Sequence, residues 1–197
     1  MKTLTHFFRY KLGLSNAETQ TTEEERSLIQ TYAKGKKIAA EIGVWHGVTT
    51  RCILRSMDKS GVFYAIDPYP AGRLGISLQQ MIAHQETAKD PHCTIQWLRM
   101  TGVQAGNQMK NQIENRVEFL FIDGDHSFEG LKGDWETWSG LMMRNGIVCL
   151  HDSQSSLKRN IDDAGSVLFT KQVICKDSRF AVVDTVDSLT VLKRTVD

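Results

Sequence analysis

Two short segments in the second half of the chain end apolar runs in groups able to do proton and metal chemistry. Residues 117–128, VEFLFIDGDHSF, place Asp123, Asp125 and His126 directly after one apolar run, and residues 146–153, GIVCLHDS, place His151 and Asp152 after another. In open α/β sheets, ligands bind outside the carboxyl ends of the strands, near the point where strand order reverses. If the two runs are neighbouring strands, their ends lie about 5 Å apart, and Asp123 and Asp152 can both reach one cation. Carboxylates with room left for water and hydroxyl oxygens suit a hard divalent ion such as Mg²⁺. Without a cation, two crowded acids repel and one of them holds its proton more tightly.

A second constellation lies in the first half. Residues 38–50, IAAEIGVWHGVTT, form a short β-type run that carries Glu41 and leads through Gly43 and Gly47 to the helix-starting pair Thr49 and Thr50. A strand that delivers a glycine-bearing loop to a helix N-terminus lets backbone N–H groups approach a ligand closely. The next apolar run, Val62 to Ile66, ends in Asp67, placed to bind ribose hydroxyls. A dinucleotide needs G-x-G-x-x-G, but Trp45 holds the middle glycine position and would set an indole against the pyrophosphate. No G-x-x-x-x-G-K-[ST] occurs either. The spacing points to a nucleoside-containing cofactor without a phosphate to cradle.

These residues need strands and helices in alternation, and the pattern supplies them. Thr22-x-x-Glu25 is a capping box opening a helix that buries Leu28, Ile29 and Tyr32 and stops at Gly35. Strands are expected at 38–42, 62–66, 93–99, 117–122 and 146–150, with helices at 48–57, 77–88, 103–113, 127–142 and near 155–165. Strands at 171–175, 179–186 and 189–194 follow, the last two joined at Asp187-Ser188 as an antiparallel hairpin. The fold class is thus α/β, a Rossmann-like doubly wound, mostly parallel seven-stranded sheet closed by that hairpin. Residues 1–35 form an N-terminal helical segment and 36–197 the main domain. Residues 68–76 make one long loop beside Asp67, where Tyr69, Arg73 and Leu74 could cover a ligand.

With 197 residues and a net charge of +1, one compact domain is expected and a nucleic-acid footprint is not. The four cysteines are far apart and mostly inside apolar runs, which reads as buried free thiols in a reducing compartment. No signal peptide or membrane span is seen, so a cytoplasmic location follows. His46 in the glycine loop is expected to be exposed. Trp135 and Trp138 read as core or dimer surface, and the amphipathic N-terminus favours a homodimer.

The chain resembles class I S-adenosylmethionine methyltransferases, in the branch of catechol-type and macrocin-type sugar O-methyltransferases. The string F-I-D-G-D-H-S-F-E around Asp123 carries most of the likeness, which covers roughly residues 36–195. The resemblance implies S-adenosylmethionine as cofactor, bound by Glu41, Gly43, Gly47, Thr49, Asp67, Gln104 and Asp123, with Gln104 at the adenine edge. It implies Mg²⁺ on Asp123 and Asp152, with His151 at the adjoining ligand position. His126 stands where the sugar enzymes keep their base. The chain departs from the pattern at Ser153, where catechol-type enzymes have Asn, and at His151, where the sugar enzymes have Glu.

The implied reaction aligns a hydroxyl with an activated methyl and removes its proton. Histidine, which changes charge near neutral pH, suits the second task, and a metal would lower the hydroxyl pKa. The acceptor is then a small hydroxylated molecule. A cephalosporin-hydroxylase-type activity on the same fold, or a silent cofactor-binding module, also fits these residues.

Overall fold

The computed structural model describes residues 2–72, 75–157 and 159–196. Arg73 and Leu74 lie outside the described residues. Two helices come first, α1 (Lys2–Lys11) and α2 (Glu23–Ala33). α2 opens with the expected capping box: Glu25 N–H donates to the Thr22 hydroxyl at 3.1 Å, and Thr22 N–H donates to the Glu25 carboxylate at 2.8 Å. It buries Ile29 and Ala33 together with Glu25 itself, whereas Leu28 and Tyr32 are half-buried.

Strand and helix then alternate through β1 (Ile38–Ile42), α3 (Val48–Ser56), β2 (Val62–Ile66), α4 (Leu78–Thr87), β3 (Thr94–Leu98), α5 (Gly102–Ile113), β4 (Val117–Ile122), α6 (Phe128–Trp138) and β5 (Met142–Leu150). A helix α7 (Gly165–Gln172) precedes the hairpin of β6 (Phe180–Val186) and β7 (Leu189–Arg194). The sheet order is β3-β2-β1-β4-β5-β7-β6, parallel from β3 to β5 and antiparallel across β7 and β6. This is the mostly parallel, doubly wound seven-stranded sheet with a terminal hairpin.

Successive strand residues point to opposite faces, and both faces are covered. Ala39, Phe63, Phe119 and Phe121 meet Ile29 of α2 and Ile53 and Leu54 of α3. Ala40, Tyr64, Leu120 and Ile122 meet Met109 of α5 and Trp135 and Trp138 of α6. Those two tryptophans are core. α1 docks separately, packing Phe7 and Tyr10 on Ile82 of α4.

Three local expectations need correction. Among the described residues no helix forms at 155–157 or 159–164, where Ser156 and Arg159 form an isolated antiparallel bridge, and the helix starts at Gly165. No strand forms at 171–175, because Val167, Thr170 and Ile174 are buried at helical spacing and continue α7 into a 3₁₀ turn. The helix expected to reach 142 ends at Trp138, since Arg194 Nη1 takes up the Ser139 and Met142 carbonyls at 3.0 and 2.7 Å. All four cysteines are free, but only Cys149 is buried and Cys175 is exposed. Among the described residues, no helix is long and apolar enough to cross a membrane.

Candidate active site

The sheet levels its own strand ends. Gly43 N–H donates to the Ile66 carbonyl at 2.9 Å, Asp67 to Leu98 at 3.2 Å, Asp123 to Ile42 at 2.8 Å and His151 to Ile122 at 3.0 Å. Each residue is the first beyond its strand and is held by the neighbouring strand's last carbonyl. Gly43, Asp67, Asp123 and His151 therefore stand side by side along one edge, and strand order reverses between β1 and β4. A cleft of about 640 Å³ opens over part of this edge, a size usual for small-molecule sites.

Gly43 is required by its backbone. Its φ is +89°, and a methyl group there would come 2.0 Å from the Asp123 carbonyl oxygen. Asp67 shapes the loop that follows: its Oδ2 accepts the N–H groups of Val44 and Trp45, both at 3.0 Å, and its Oδ1 accepts Tyr69 N–H at 2.7 Å. A carboxylate offers about four acceptor positions, so about one remains for a ligand hydroxyl. Trp45 lines the cleft and stacks on His46 at 4.7 Å, and His46 stacks on His6 of α1 at 5.1 Å. His46 is thus buried, contrary to expectation, and loss of solvent, aided by His6, lowers its pKa to about 4.

Several residues expected at the cofactor also have structural partners. Gly47 begins α3 at φ +75°, with the Ala83 backbone 3.1 Å from where a side chain would start. Thr49 shares a hydrogen bond with the Thr21 hydroxyl at 3.1 Å. Glu41 lies fully buried, accepting from the Thr50 hydroxyl, and burial pushes its pKa well above the usual carboxylate range. Gln104 is exposed and closes the capping box of α5, its Oε1 accepting Thr101 N–H at 3.0 Å. Of the expected cofactor residues, Gly43, Asp67 and Asp123 line the cleft. Tyr69 is core, 1% exposed, rather than a cover.

The reacting end gathers Asp123, His126, His151 and Asp152. His126 Nε2 lies 3.5 Å from Asp123 Oδ1 and 3.8 Å from Asp152 Oδ2. His151 Nδ1 lies 2.7 Å from Asp123 Oδ1, and its Nε2 lies 3.5 Å from Glu25 Oε2. The ring lies between these two carboxylates, each close enough to hold one of its protons. Burial pulls the His151 pKa down, and Asp123, Glu25 and Asp152 more than offset it, raising it to about 10. Asp152 sits at φ +48° and accepts from Arg159 Nη1 at 2.6 Å. Ser153 is buried with its hydroxyl 2.7 Å from that of Thr190, which makes it a brace for the hairpin.

The donor chemistry here does not match a magnesium cage. Asp123, His126 and His151 bring one ligating atom each within 4.8 Å of one another. Two imidazoles and a carboxylate suit zinc, iron or nickel, whereas Mg²⁺ takes oxygen. Asp152, the second expected oxygen donor, has one oxygen committed to Arg159.

Three acids around this site were not legible as site residues. Glu129 and Asp134 line the cleft from α6, beside Asp125 from the loop after β4, and Glu25 reaches His151 from α2. Glu129 and Asp134 stand among the polar residues of a helix, a pattern that on its own marks any solvated face.

A family model described as a methyltransferase domain matches residues 40–153. No curated protein matches the chain. Among solved structures, a protein from Corynebacterium glutamicum superposes with a TM-score of 0.67 at 16% identity, covering 100% of this chain and 91% of the other. The O-methyltransferase TomG from Streptomyces achromogenes, involved in tomaymycin synthesis and solved with S-adenosylmethionine, gives 0.65 at 11% identity, covering 100% and 91%. An O-methyltransferase from Bacillus cereus, solved with S-adenosylhomocysteine, gives 0.59 at 14%, covering 98% and 91%. At these identities the likeness is one of fold.

Proposed function

The chain belongs to the methyltransferase-domain family, and from that premise we propose that it moves a methyl group from S-adenosylmethionine to a hydroxyl of a small acceptor, such as a sugar, a glycan precursor or a secondary metabolite. The charge of the cleft carries this reading. Asp67, Asp123, Asp125, Glu129 and Asp134 line it, with no lysine or arginine among the described lining residues. That field favours a sulfonium cation and repels the diphosphate of a dinucleotide.

When bound, S-adenosylmethionine supplies a methyl group already activated by its sulfonium. Asp67 offers its remaining acceptor position to a ribose hydroxyl, and Gly43 keeps the edge above β1 open. His126, about a third exposed, takes the acceptor proton at Nε2 as the acceptor oxygen attacks. Asp123 and Asp152 orient the ring and stabilise the imidazolium that results. None of these roles needs an ion.

Calorimetry with S-adenosylmethionine and with NAD⁺, followed by labelled-methyl transfer across a panel of hydroxylated metabolites, tests the proposal. Binding of S-adenosylmethionine alone, with label appearing in a hydroxylated acceptor, supports it. Binding of NAD⁺ alone removes it. One observation favours the hydroxylating alternative: the convergence of Asp123, His126 and His151 is the donor set of a non-haem iron site. Oxygen consumption that depends on ferrous ion would select that reading. A stripe of Leu4, Phe8 and Leu12, each more than half exposed, supports pairing with a second copy through the N-terminal helix.

A further inference from the structure

Asp134 is largely buried at the cleft wall, facing the cleft. It is 6% exposed, lines the cleft, and has no hydrogen-bond or ion-pair partner among the described residues. Its oxygens are not among the fully enclosed unpartnered atoms and open onto the cleft, so a largely desolvated carboxylate is placed there to bond a ligand group.

The surroundings hold it in place. A methyl group on Gly102 would come 2.2 Å from Asp134 Oδ1, and one on Gly124 would come 3.3 Å from Oδ2. One turn further along α6, Trp138 Nε1 donates to the Gly102 carbonyl at 2.8 Å and locks α6 against the first turn of α5. The carboxylate thus sits over two glycines at a fixed position between the start of α5 and the end of β4.

The ligand's parts can be apportioned along the cleft. The reactive sulfur belongs beside His126, and the ribose belongs at Asp67. Of the remaining lining, Ile66, Gly102, Val103 and Gly124 form an apolar wall with Asp134 set in it and Asp125 and Glu129 nearer the start of α6, which suits a flat heterocycle with a polar edge. Adenine presents an amino donor beside a ring-nitrogen acceptor. A neutral carboxylic acid matches that edge, its carbonyl accepting from the amino group and its O–H donating to the ring nitrogen. Burial, helped by Asp125, raises the Asp134 pKa to about 7, so the neutral form is accessible. The neighbouring residues Ile42 of β1 and Gly102 of α5 are not ionisable.

We propose that Asp134 is the residue that recognises the six-amino edge of the cofactor's adenine. This rests on the S-adenosylmethionine reading. The probes are S-adenosylhomocysteine and its counterpart with unsubstituted purine in place of adenine, which lacks the six-amino donor, measured by calorimetry on the wild type, Asp134→Asn and Asp134→Ala.

The wild type is expected to favour the adenosyl ligand by at least about ten-fold. Asp134→Ala should bring the two ligands to within about three-fold. Asp134→Asn, which keeps one donor and one acceptor, should retain most of the preference and lose its decline above about pH 7. Both variants should melt no lower than the wild type at pH 8, since an unpartnered charge is removed, whereas a structural carboxylate would leave them less stable. Undiminished discrimination in Asp134→Ala, or clear destabilisation of both variants, overturns the assignment. If the wild type binds neither ligand, the cofactor reading itself falls.

Discussion

His126 is the most exposed member of its cluster, with two carboxylates within 4 Å of its Nε2. If it takes the acceptor proton, His126→Ala should slow methyl transfer by about 100-fold or more while leaving cofactor affinity within about two-fold. A rate within a few-fold of wild type would remove it as the base. Gly43 answers to sterics instead. Gly43→Ala would both strain a φ of +89° and drive its methyl into the Asp123 carbonyl, costing more than about 3 kcal/mol. Gly13→Ala, at φ +71° with nothing within 4 Å, should cost only about 1 kcal/mol. Urea unfolding of the two variants separates strain alone from strain with a clash.

At the scale of elements, the N-terminal helices are built into the site. Glu25 caps α2, accepts from Ser188 N–H at 2.9 Å at the hairpin turn, and faces His151. Burial opposes its charge, but His151, Thr22 and Ser188 together bring its pKa from 4.5 down to about 2. Its contribution is therefore complete above about pH 4.5 and is lost as the pH falls toward 2. His46 adds a second acid-sensitive step. Its folded pKa of about 4 lies below the ordinary 6.5, so the unfolded chain binds the proton first and stability falls between those values. Each step is worth no more than about 3 kcal/mol. Thermal unfolding should show a progressive loss from pH 6.5 downward. Glu25→Gln, which keeps the capping geometry, should flatten the part below 4.5. An unchanged profile in that variant would dissociate Glu25 from acid unfolding.

For the molecule as a whole, the acidic cleft and the mixed donor set make a statement about metals. A magnesium-assisted enzyme would lose activity in a chelator and regain it with Mg²⁺. Here methyl transfer is expected to stay within about two-fold in EDTA, measured by label incorporation. Loss of activity that magnesium alone restores would show that Asp123 and Asp152 hold an ion despite Arg159.

The alternation of β1 to β5 with their helices, and the chemistry at the ends of β1, β2, β4 and β5, could be read from the chain because they depend on short-range periodicity. A run such as Val117–Ile122 has few ways to satisfy its backbone and bury its side chains. The terminal hairpin was equally local. Local pattern failed at 155–175, where helix and strand periods overlap in a short apolar run. It also could not say where a polar side chain would spend its bonds. Asp67 turned inward to its own loop, Gln104 to a cap and Thr49 to Thr21, while Glu25 and Asp134 arrived beside the cleft from helices whose sequence marks them only as caps and faces. Those assignments depend on which distant segment packs against which, and that was decided only when both faces of the sheet were covered.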